Sequence, residues 1–351
     1  MMTGRELVTR AIEFETPERL PFWQHVVKDV PDDVCDCWEM DRAEAGWFFD
    51  QTGLDDWGCV WERTDVENIG QVKHGPLEDW SALDGYRPPN PMNPYYFERL
   101  ENEMTGPSKR EGLGGTRDAF THGEVTEDSY VVVTCHFNLF ERLHMLHGFQ
   151  QTMLDFYVEP KKIERVLDMV LDFKIGILSE LHRRFGDRVH GIFMTDDWGS
   201  QKQTFISGEL FEHFFAPRYK QLNTVLHSFG YHSILHSCGK VNDFVQRFID
   251  CGFDVLNLQQ PRNYGIEELG KQFAGKICFL TTVDIQKTLP TGTDDDVREE
   301  AKLLVDKWST PEGGFIVFNY GDGSAIGTKT ERANVMFKAF AEIDYPCKPN
   351  E

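Results

Sequence analysis

The chain has 351 residues, with 58 acidic against 36 basic side chains and a formal net charge of -22 at pH 7. A surface this acidic argues against nucleic acid or anionic lipid as a partner. No stretch approaches the roughly 18 consecutive apolar residues of a membrane span, and the N-terminal residues lack the basic start and apolar core of a secretory signal. We therefore expect a soluble, cytoplasmic protein with no membrane partner, in which the eight scattered cysteines are reduced thiols.

Short apolar segments along the chain predict strands. LPFWQHVV (20–27) is predicted to be the first strand. Residues 28–128 follow with much Pro, Asn, Gly and charge, and are predicted to form an elaborated region over one end of the fold. The later predicted strands are YVVVTCH (130–136), GIFMTDD (191–197), YHSILHS (231–237), DVLNLQQ (254–260), KICFLTTVD (276–284) and GGFIVFN (313–319).

Amphipathic helices are predicted after these later strands. They cover residues 161–186, 208–230, 241–252, 264–273, 293–309 and 330–343. The first of them places Ile163, Val166, Leu167 and Val170 on one face. In the helix at 293–309, Thr293 and Asp294 are candidate N-caps.

Two acidic clusters are predicted to be solvated helix starts. They are TDDDVREE (293–300) and PDDVCDCWEMD (31–41). Cys35 and Cys37 in the second cluster are two residues apart without a nearby partner pair, so we assign them no metal.

The sustained alternation of strand and helix predicts an all-parallel sheet. At least six such units, and the lack of a G-x-G-x-x-G turn after the first strand, favour a closed barrel over an open, doubly wound sheet. We therefore expect a single (β/α)8 TIM barrel over residues 1–351, with about 28–128 as an elaborated N-terminal segment within it.

Polar residues follow six of the predicted strands directly. Catalytic groups of such barrels lie at the C-terminal ends of the strands, so these residues are candidates for a lined pocket. They are Cys135 with His136, Asp196 with Asp197, His236 with Cys238, Gln259 with Gln260, Asp284, and Asn319 with Asp322.

The segment HSCG brings two potential metal ligands to one strand end. His236 and Cys238 are two residues apart and can point to the same side, offering an imidazole nitrogen and a thiolate to an ion such as zinc. Further ligands would come from other strand ends, and Asp322 and Cys278 are the candidates. The alternative interpretation is a core cysteine beside a hydrogen-bonded histidine.

The acids that follow two other strands allow two interpretations. A helix cap needs one acidic side chain, and Asp196 and Asp197 are two. One of them is therefore a candidate for contact with the substrate or with a ligand, and the other is a candidate helix cap. Asp284 has the same two interpretations.

Several of these motifs resemble the uroporphyrinogen decarboxylase superfamily, whose members are single (β/α)8 barrels. The resemblance lies in RAIEFETPERLPFW, in HSCGKVNDFVQRFIDCGFDVLNLQQP, and in the segment that begins TTVDIQ and ends GGFIVFN. It covers nearly the whole chain and is strongest from about residue 128 onward, where DDWGSQ, HSCG and GGFI occur in the family's order.

The chain departs from the true decarboxylases of this superfamily where they bind a porphyrinogen. Their arginine-containing N-terminal segment corresponds to PFWQHVVKDV, which has no arginine, and their C-terminal histidine turn corresponds to GDG, with Asp322. A tetrapyrrole with several carboxylates needs cationic partners, so porphyrinogen decarboxylation is not expected.

The chain is more similar to the zinc methyltransferases of corrinoid-linked methyl metabolism. Their His-x-Cys ligands match His236 and Cys238, and their third ligand, often a cysteine, falls on Asp322. Because a carboxylate also binds zinc, the resemblance implies a zinc site at these three residues. Cys278 is a rival candidate for the third ligand.

This resemblance implies a zinc-dependent methyltransferase. It would move a methyl group between a small substrate, methylated or methoxylated, or a thiol, and a corrinoid such as methylcobalamin on a partner protein. A second copy of the chain, forming a homodimer, is a further candidate partner. The candidate catalytic residues are Asp196, Asp197 and Asp284, and the candidate substrate-binding residues are Trp23, His136, Trp198, Gln259 and Tyr320, whose aromatic members would exclude water.

Two other functions stay open at this point. One is a metal-independent decarboxylase or other lyase of a carboxylic acid, in which Asp196, Asp284 and His236 act on the substrate. The other is a barrel that binds a ligand without turning it over.

Overall fold

Eight parallel strands form the central sheet of the computed structural model, which describes residues 2–24, 27, 29–37, 53–62, 70–105, 125–320, 326–328 and 330–345. The described residues contain eleven strands, eight of them in this sheet: β1 (Phe22–Trp23), β2 (Val34–Cys37), β3 (Gly53–Leu54), β4 (Val60–Glu62), β5 (Gln71–His74), β6 (Tyr130–Thr134), β7 (Gly191–Thr195), β8 (His232–His236), β9 (Val255–Asn257), β10 (Cys278–Thr281) and β11 (Phe315–Phe318).

The central sheet has the order β1-β11-β10-β9-β8-β7-β6-β2, and β1 lies against β2, so that the sheet nearly closes on itself. The chain is therefore a single (β/α)8 barrel, and the predicted fold is confirmed. The observed strands are shorter than the predicted ones. β1, for example, ends at Trp23 because the Gln24 side chain accepts a hydrogen bond from the backbone N–H of Val27 and so turns the chain.

The described residues contain the six predicted helices and further helices that were not predicted. They are α1 (Gly4–Glu13), α2 (Tyr95–Thr105), α3 (Leu139–His147), α4 (Phe149–Val158), α5 (Pro160–Phe185), α6 (Gly208–Leu210), α7 (Ala216–Ser228), α8 (Asn242–Asp250), α9 (Pro261–Tyr264), α10 (Ile266–Phe273), α11 (Thr288–Thr291), α12 (Asp294–Trp308) and α13 (Thr330–Ala341). The predicted face of α5 is buried, and Thr293 caps α12 in a capping box with Asp296.

Strand residues alternate between the barrel interior and the helix layer. The inward residues Val132, Phe193, Ile234, Val255 and Leu280 pack together in one cluster. The intervening residues Val131, Ile192, Leu235, Leu256 and Phe279 belong to the larger cluster beneath the helices. A residue two positions beyond an inward one therefore continues toward the barrel axis, which decides where strand-end side chains point.

Helix α1 covers the end of the barrel where the strands begin. Its buried residues Val8, Ala11 and Ile12 belong to the interior cluster, and Ala11 O accepts a hydrogen bond from the N–H of Gly314, one residue before β11. The N-terminal end of the barrel is therefore filled by this helix. The opposite end, where the strands finish, is the one available for a site.

The elaborated region contains one strand of the barrel as well as a small antiparallel sheet. β2 pairs with β6, so the prediction that residues 31–41 form a solvated helix start was wrong. A strand that enters a parallel sheet gains its hydrogen bonds from its neighbour, and no local pattern in an acidic segment shows this pairing. The small sheet, β3-β4-β5, is held to α3 by the buried ion pair of Asp55 with Arg142 at 2.9 Å.

Within the described ranges, no helix is both long enough and apolar enough to cross a membrane.

Candidate metal centre at the barrel mouth

Three potential ligand atoms meet at the C-terminal ends of β7 and β8. The atoms are His236 Nε2, Cys238 Sγ and a carboxylate oxygen of Asp197, and they lie within 4.8 Å of one another. The sulfur is 3.3 Å from His236 Nε2, and Asp197 Oδ1 is 3.7 Å from the same nitrogen. Across the residues that the structure describes, these three residues are the one such group of three or more.

The two strand-end loops reach this arrangement because glycine lets them touch. Gly239, directly after Cys238, has a φ of 79°, and a Cβ placed on it would lie 1.9 Å from the carbonyl oxygen of Gly199. The N–H of Lys240 then donates to Ser200 O at 2.7 Å, and the N–H of Cys238 donates to Asp197 Oδ1 at 2.7 Å. The glycine of the HSCG segment is therefore required by the close approach of the β7 and β8 loops.

Asn257 orients the imidazole of His236. Its side-chain oxygen lies 2.7 Å from His236 Nδ1, while its side-chain nitrogen donates to Leu280 O at 2.8 Å. The Asn257 oxygen also accepts from Gln259 Nε2 at 2.9 Å. Because this oxygen can only accept, His236 carries its proton on Nδ1, and the lone pair of Nε2 faces Cys238 and Asp197.

The electrostatics around the sulfur favour a cation. Burial, followed by the negative charges of Asp197 and Glu141, raises the pKa of the Cys238 thiol well above its usual value. Burial and the charges of Asp197 and Asp196 likewise raise the pKa of Glu141. A divalent cation would relieve this concentration of acidic groups and stabilise the thiolate, so the residues present fit a bound metal ion.

Asp196 is buried and caps a helix. It accepts hydrogen bonds from the backbone N–H groups of Phe140 at 3.0 Å and Glu141 at 2.7 Å, in the first turn of α3, and from the hydroxyl of Tyr219. Burial raises its pKa to about 7, against the opposing effect of these three donors. Of the two adjacent acids, Asp196 therefore caps a helix, whereas Asp197 lies beside His236 and Cys238.

The carboxylate of Asp284 also accepts hydrogen bonds from backbone N–H groups. Its carboxylate accepts from the N–H groups of Gln286 and Lys287 at 3.0 and 2.8 Å, and it is almost fully buried. The structure does not bring it to the group of three.

The barrel interior beside His236 is aromatic. Trp23 packs edge-on against Phe193 and Phe318, with ring centroids 5.5 and 5.2 Å apart, and Phe193 stacks near His236 at 6.2 Å. Trp23 therefore lies in the layer of side chains beside the candidate ligands.

Trp198 lies outside this layer. It is fully buried, stacks on Phe140 at 4.4 Å and meets Phe211 and Phe215 edge-on in the helix layer. The expectation that it lines the pocket is not supported by this position, because the residue that follows Asp197 points away from the barrel axis. Its role in the structure is packing.

Two other predicted residues lie two positions beyond inward strand residues. Gln259 follows Asn257 in this way and donates a hydrogen bond to it, and His136 follows Thr134. Tyr320, past the end of β11, packs against the larger cluster beneath the helices.

The two candidates for a further ligand have different outcomes. Cys278 is the first residue of β10 and is fully buried in the interior cluster. In the sheet register Leu280, two residues later, lies level with His236, so Cys278 is not brought to His236, Cys238 and Asp197. Asp322 lies outside the described residues.

The structure brings the predicted residues His236 and Cys238 together and places Asn257 and Glu141, which were not predicted, beside them. Asn257 could have been found, because it lies two residues before Gln259 on the inward face of a strand. Glu141 lies on α3, and no spacing in the sequence relates it to the strand ends.

Comparison with known proteins gives one family and a small number of relatives. The model of the family Uroporphyrinogen decarboxylase (URO-D) matches residues 132–343. Methylcobamide:CoM methyltransferase MtaA of Methanosarcina barkeri (strain Fusaro / DSM 804) is 30% identical over 135 residues, which cover 38% of this chain and 37% of that protein. A second MtaA from Methanosarcina barkeri is 29% identical over 135 residues, with the same coverage of both chains. The match thus spans little more than a third of these relatives.

Among solved structures, a D-psicose 3-epimerase crystallised in the presence of D-fructose has a TM-score of 0.35 and 10% identity, covering 61% of this chain and 77% of its own. The GH20 catalytic modules of a pneumococcal exo-beta-D-N-acetylglucosaminidase, StrH, also have a TM-score of 0.35 and 10% identity, covering 97% and 78%. TM-scores this low support no statement about the present chain.

Proposed function

The chain belongs to the uroporphyrinogen decarboxylase (URO-D) family, and we propose that within this family it is a zinc-dependent methyltransferase. It moves a methyl group between a small methylated or methoxylated substrate, or a thiol, and a corrinoid carried by a partner protein. The observation that carries the proposal is the group formed by His236, Cys238 and Asp197 at the end of the barrel where catalytic residues of this fold lie. The similarity to MtaA supports the methyl-transfer chemistry.

The donor set favours zinc over other divalent ions. Imidazole nitrogen, thiolate sulfur and carboxylate oxygen are the ligands that zinc takes in proteins, and catalytic zinc sites commonly have three protein ligands and one open position. His236 Nε2, Cys238 Sγ and Asp197 would hold the ion. Asp322, the residue that matches the family's third ligand, is a further candidate for the same ion.

The bound ion would supply Lewis acidity, which lowers the pKa of a thiol or makes an alcohol a better leaving group. The chain's own residues prepare this chemistry. Asn257 accepts the proton-bearing Nδ1 of His236, so that in the neutral ring the lone pair of Nε2 faces Cys238 and Asp197. Asp197 Oδ1 accepts the N–H of Cys238 and thereby fixes the thiolate-bearing loop relative to β7.

The aromatic layer of Trp23, Phe193 and Phe318 excludes water beside the ligands. Water exclusion would strengthen the electrostatic interactions at a bound ion and would limit side reactions with solvent. The substrate side of the site is a small methyl donor or acceptor rather than a polyanionic tetrapyrrole, since PFWQHVVKDV has no arginine.

Two of the three side chains that the decarboxylase alternative requires, those of Asp196 and Asp284, already bind the protein backbone. Asp196 and Asp284 hold backbone N–H groups and are buried, so neither is offered to a substrate. Carbon dioxide release from a carboxylic acid in the presence of a chelator would nevertheless restore that alternative.

A methyl-transfer assay with free methylcobalamin tests the proposal. Zinc-loaded protein is mixed with methylcobalamin and 2-mercaptoethanesulfonate, and in a second series a methoxylated compound is mixed with reduced cobalamin. Loss or gain of the methyl–cobalt absorption is followed. We expect turnover in at least one direction, abolished in Cys238→Ser and retained in the matched control Cys278→Ser. Turnover that resists chelation, or that survives in Cys238→Ser, would contradict the proposal.

A further inference from the structure

Tyr264 carries a buried hydroxyl that makes no hydrogen bond. The residue ends α9 and is 3% exposed, and its hydroxyl oxygen has no hydrogen-bond partner among the residues that the structure describes. A buried polar group without a partner destabilises a fold, and a phenylalanine ring would fill nearly the same volume without this cost. The packing of α9 therefore does not account for the hydroxyl.

Two hydrogen bonds tie α9 to the loop that follows β8. Asn242 Nδ2, at the start of α8, donates to Tyr264 O at 2.8 Å. Gln260, the residue before α9, accepts from the N–H of Gly239 at 3.3 Å. Gly239 directly follows Cys238, so both ends of α9 are fixed against the loop that carries this candidate ligand.

The charges that act on the Tyr264 hydroxyl come from the strand ends. Burial, followed by the negative charges of Cys238, Asp197 and Asp284, raises the pKa of Tyr264 well above its usual value. These three residues follow β8, β7 and β10 at the barrel mouth, and the charge of Cys238 has the largest effect among them. The hydroxyl therefore keeps its proton at neutral pH and is a donor directed toward this end of the barrel.

The sulfur of Cys238 has the opposite deficit. A cysteine binds a metal ion as a thiolate, which can only accept hydrogen bonds. In the described part of the chain, the sulfur has a polar contact with His236 Nε2 at 3.3 Å, and this nitrogen carries a lone pair because the proton is on Nδ1. The Asp197 carboxylate can only accept as well. An unpaired donor and a sulfur without a donor therefore lie at the same end of the barrel.

We propose that Tyr264 is a positioning residue whose hydroxyl donates a hydrogen bond to the Cys238 thiolate when this sulfur binds the ion. The inference rests on the zinc site of the proposed function and deepens it. A hydrogen bond withdraws electron density from the sulfur, so the ion receives less of it and polarises a substrate oxygen or sulfur more strongly. Tyr264 thereby adjusts the Lewis acidity of the ion without touching the substrate.

Tyr264→Phe tests the proposal, because it removes the hydroxyl and keeps the ring. Full-length protein is loaded with cobalt, and the sulfur-to-cobalt absorption band is recorded. We expect this band at longer wavelength in Tyr264→Phe than in the wild type, because a sulfur without the hydrogen bond gives up its electrons more easily. Zinc affinity, measured by competition with a chelator, should fall about 10-fold.

Tyr231→Phe is the matched control. Tyr231 is buried, lies directly before β8 at the opposite end of the barrel, and its hydroxyl donates to Gly186 O at 2.7 Å. Tyr231→Phe should keep the wild-type band and zinc affinity, but it should lower the thermal unfolding midpoint of the metal-free protein. Tyr264→Phe loses no hydrogen bond in that state, so its midpoint should be unchanged or higher. Circular dichroism verifies that each variant is folded.

An unshifted cobalt band in Tyr264→Phe would overturn the proposal. An unfolding midpoint that falls as far as in Tyr231→Phe would also overturn it, because the hydroxyl would then have another partner in the protein. Both results leave the zinc site standing. Wild-type protein that binds no cobalt would overturn the zinc site and this proposal together, so the two failures are distinguishable.

Discussion

The side chain of Asn257 should set the metal affinity of the site without touching the metal. Asn257→Leu keeps the volume but removes the oxygen that accepts from His236 Nδ1 at 2.7 Å. The imidazole then loses the hydrogen bond that fixes its tautomer and its orientation toward Cys238. Loss of such a partner typically weakens metal binding by about 10–100-fold, or about 1.4–2.8 kcal/mol.

The same substitution also leaves Gln259 Nε2 without its acceptor and leaves Leu280 O with the N–H of Leu258 as its donor, so the free energy of unfolding should fall by about 1–3 kcal/mol. Asn223→Leu separates this general cost from the specific one. Asn223 is equally buried, donates to Cys251 O and accepts from Ser233, and belongs to α7 outside the barrel.

Zinc affinity is measured by competition with a chelator on wild type and both variants. We expect Asn257→Leu to bind zinc at least about 10-fold more weakly, with Asn223→Leu at the wild-type affinity although it is similarly destabilised. Equal zinc affinity in all three proteins would refute the argument that this network prepares His236 as a ligand.

Three further outcomes are expected. Asp196→Ala should lower the free energy of unfolding by about 3–5 kcal/mol, because three donors lose their acceptor, and should keep the metal. Asp197→Asn should lose the metal and keep the stability. Denaturation and metal analysis distinguish the two variants, and metal loss in Asp196→Ala would contradict the capping role of Asp196. Burial alone would raise the pKa of Asp155, but the hydrogen bonds that its carboxylate accepts, first the one from His147, lower this pKa. The Asp155 carboxylate therefore stabilises the folded protein fully above the unfolded pKa of about 4, and this stabilisation is lost as the pH falls through the lower folded pKa. The difference in unfolding free energy between wild type and Asp155→Asn should therefore shrink in acid, and a difference independent of pH would count against this pair. Trp198→Ala should cost about 3–5 kcal/mol of stability with the Michaelis constant unchanged, and a raised Michaelis constant in a stable variant would instead place this ring at the substrate.

The regular parts of the barrel could be predicted because their signals are local. The buried face of α5 follows from a 3.6-residue periodicity, and the start of α12 follows from the side chain of Thr293 acting on its own first turn. β2 could not be found in this way, since its hydrogen bonds come from β6, nearly one hundred residues further along the chain.

The site was predictable to the extent that strand ends meet at one end of a barrel. This rule brought His236, Cys238 and Asp197 onto one set of candidates. It could not tell Asp197 from Asp196, because two adjacent residues point to opposite sides and the side depends on where β7 ends. For the same reason, Trp198 was expected at the site and lies in the helix layer instead.

Metal content tests the central claim most directly. Protein purified under reducing conditions without a metal-affinity column is analysed for zinc, and cobalt is then substituted so that the sulfur–metal absorption reports the bond to Cys238. We expect close to one ion per chain in the wild type and in Cys278→Ser, and loss of the ion in His236→Ala and Cys238→Ser. Folded wild-type protein that takes up neither zinc nor cobalt, or Cys238→Ser that retains the ion, would contradict the account.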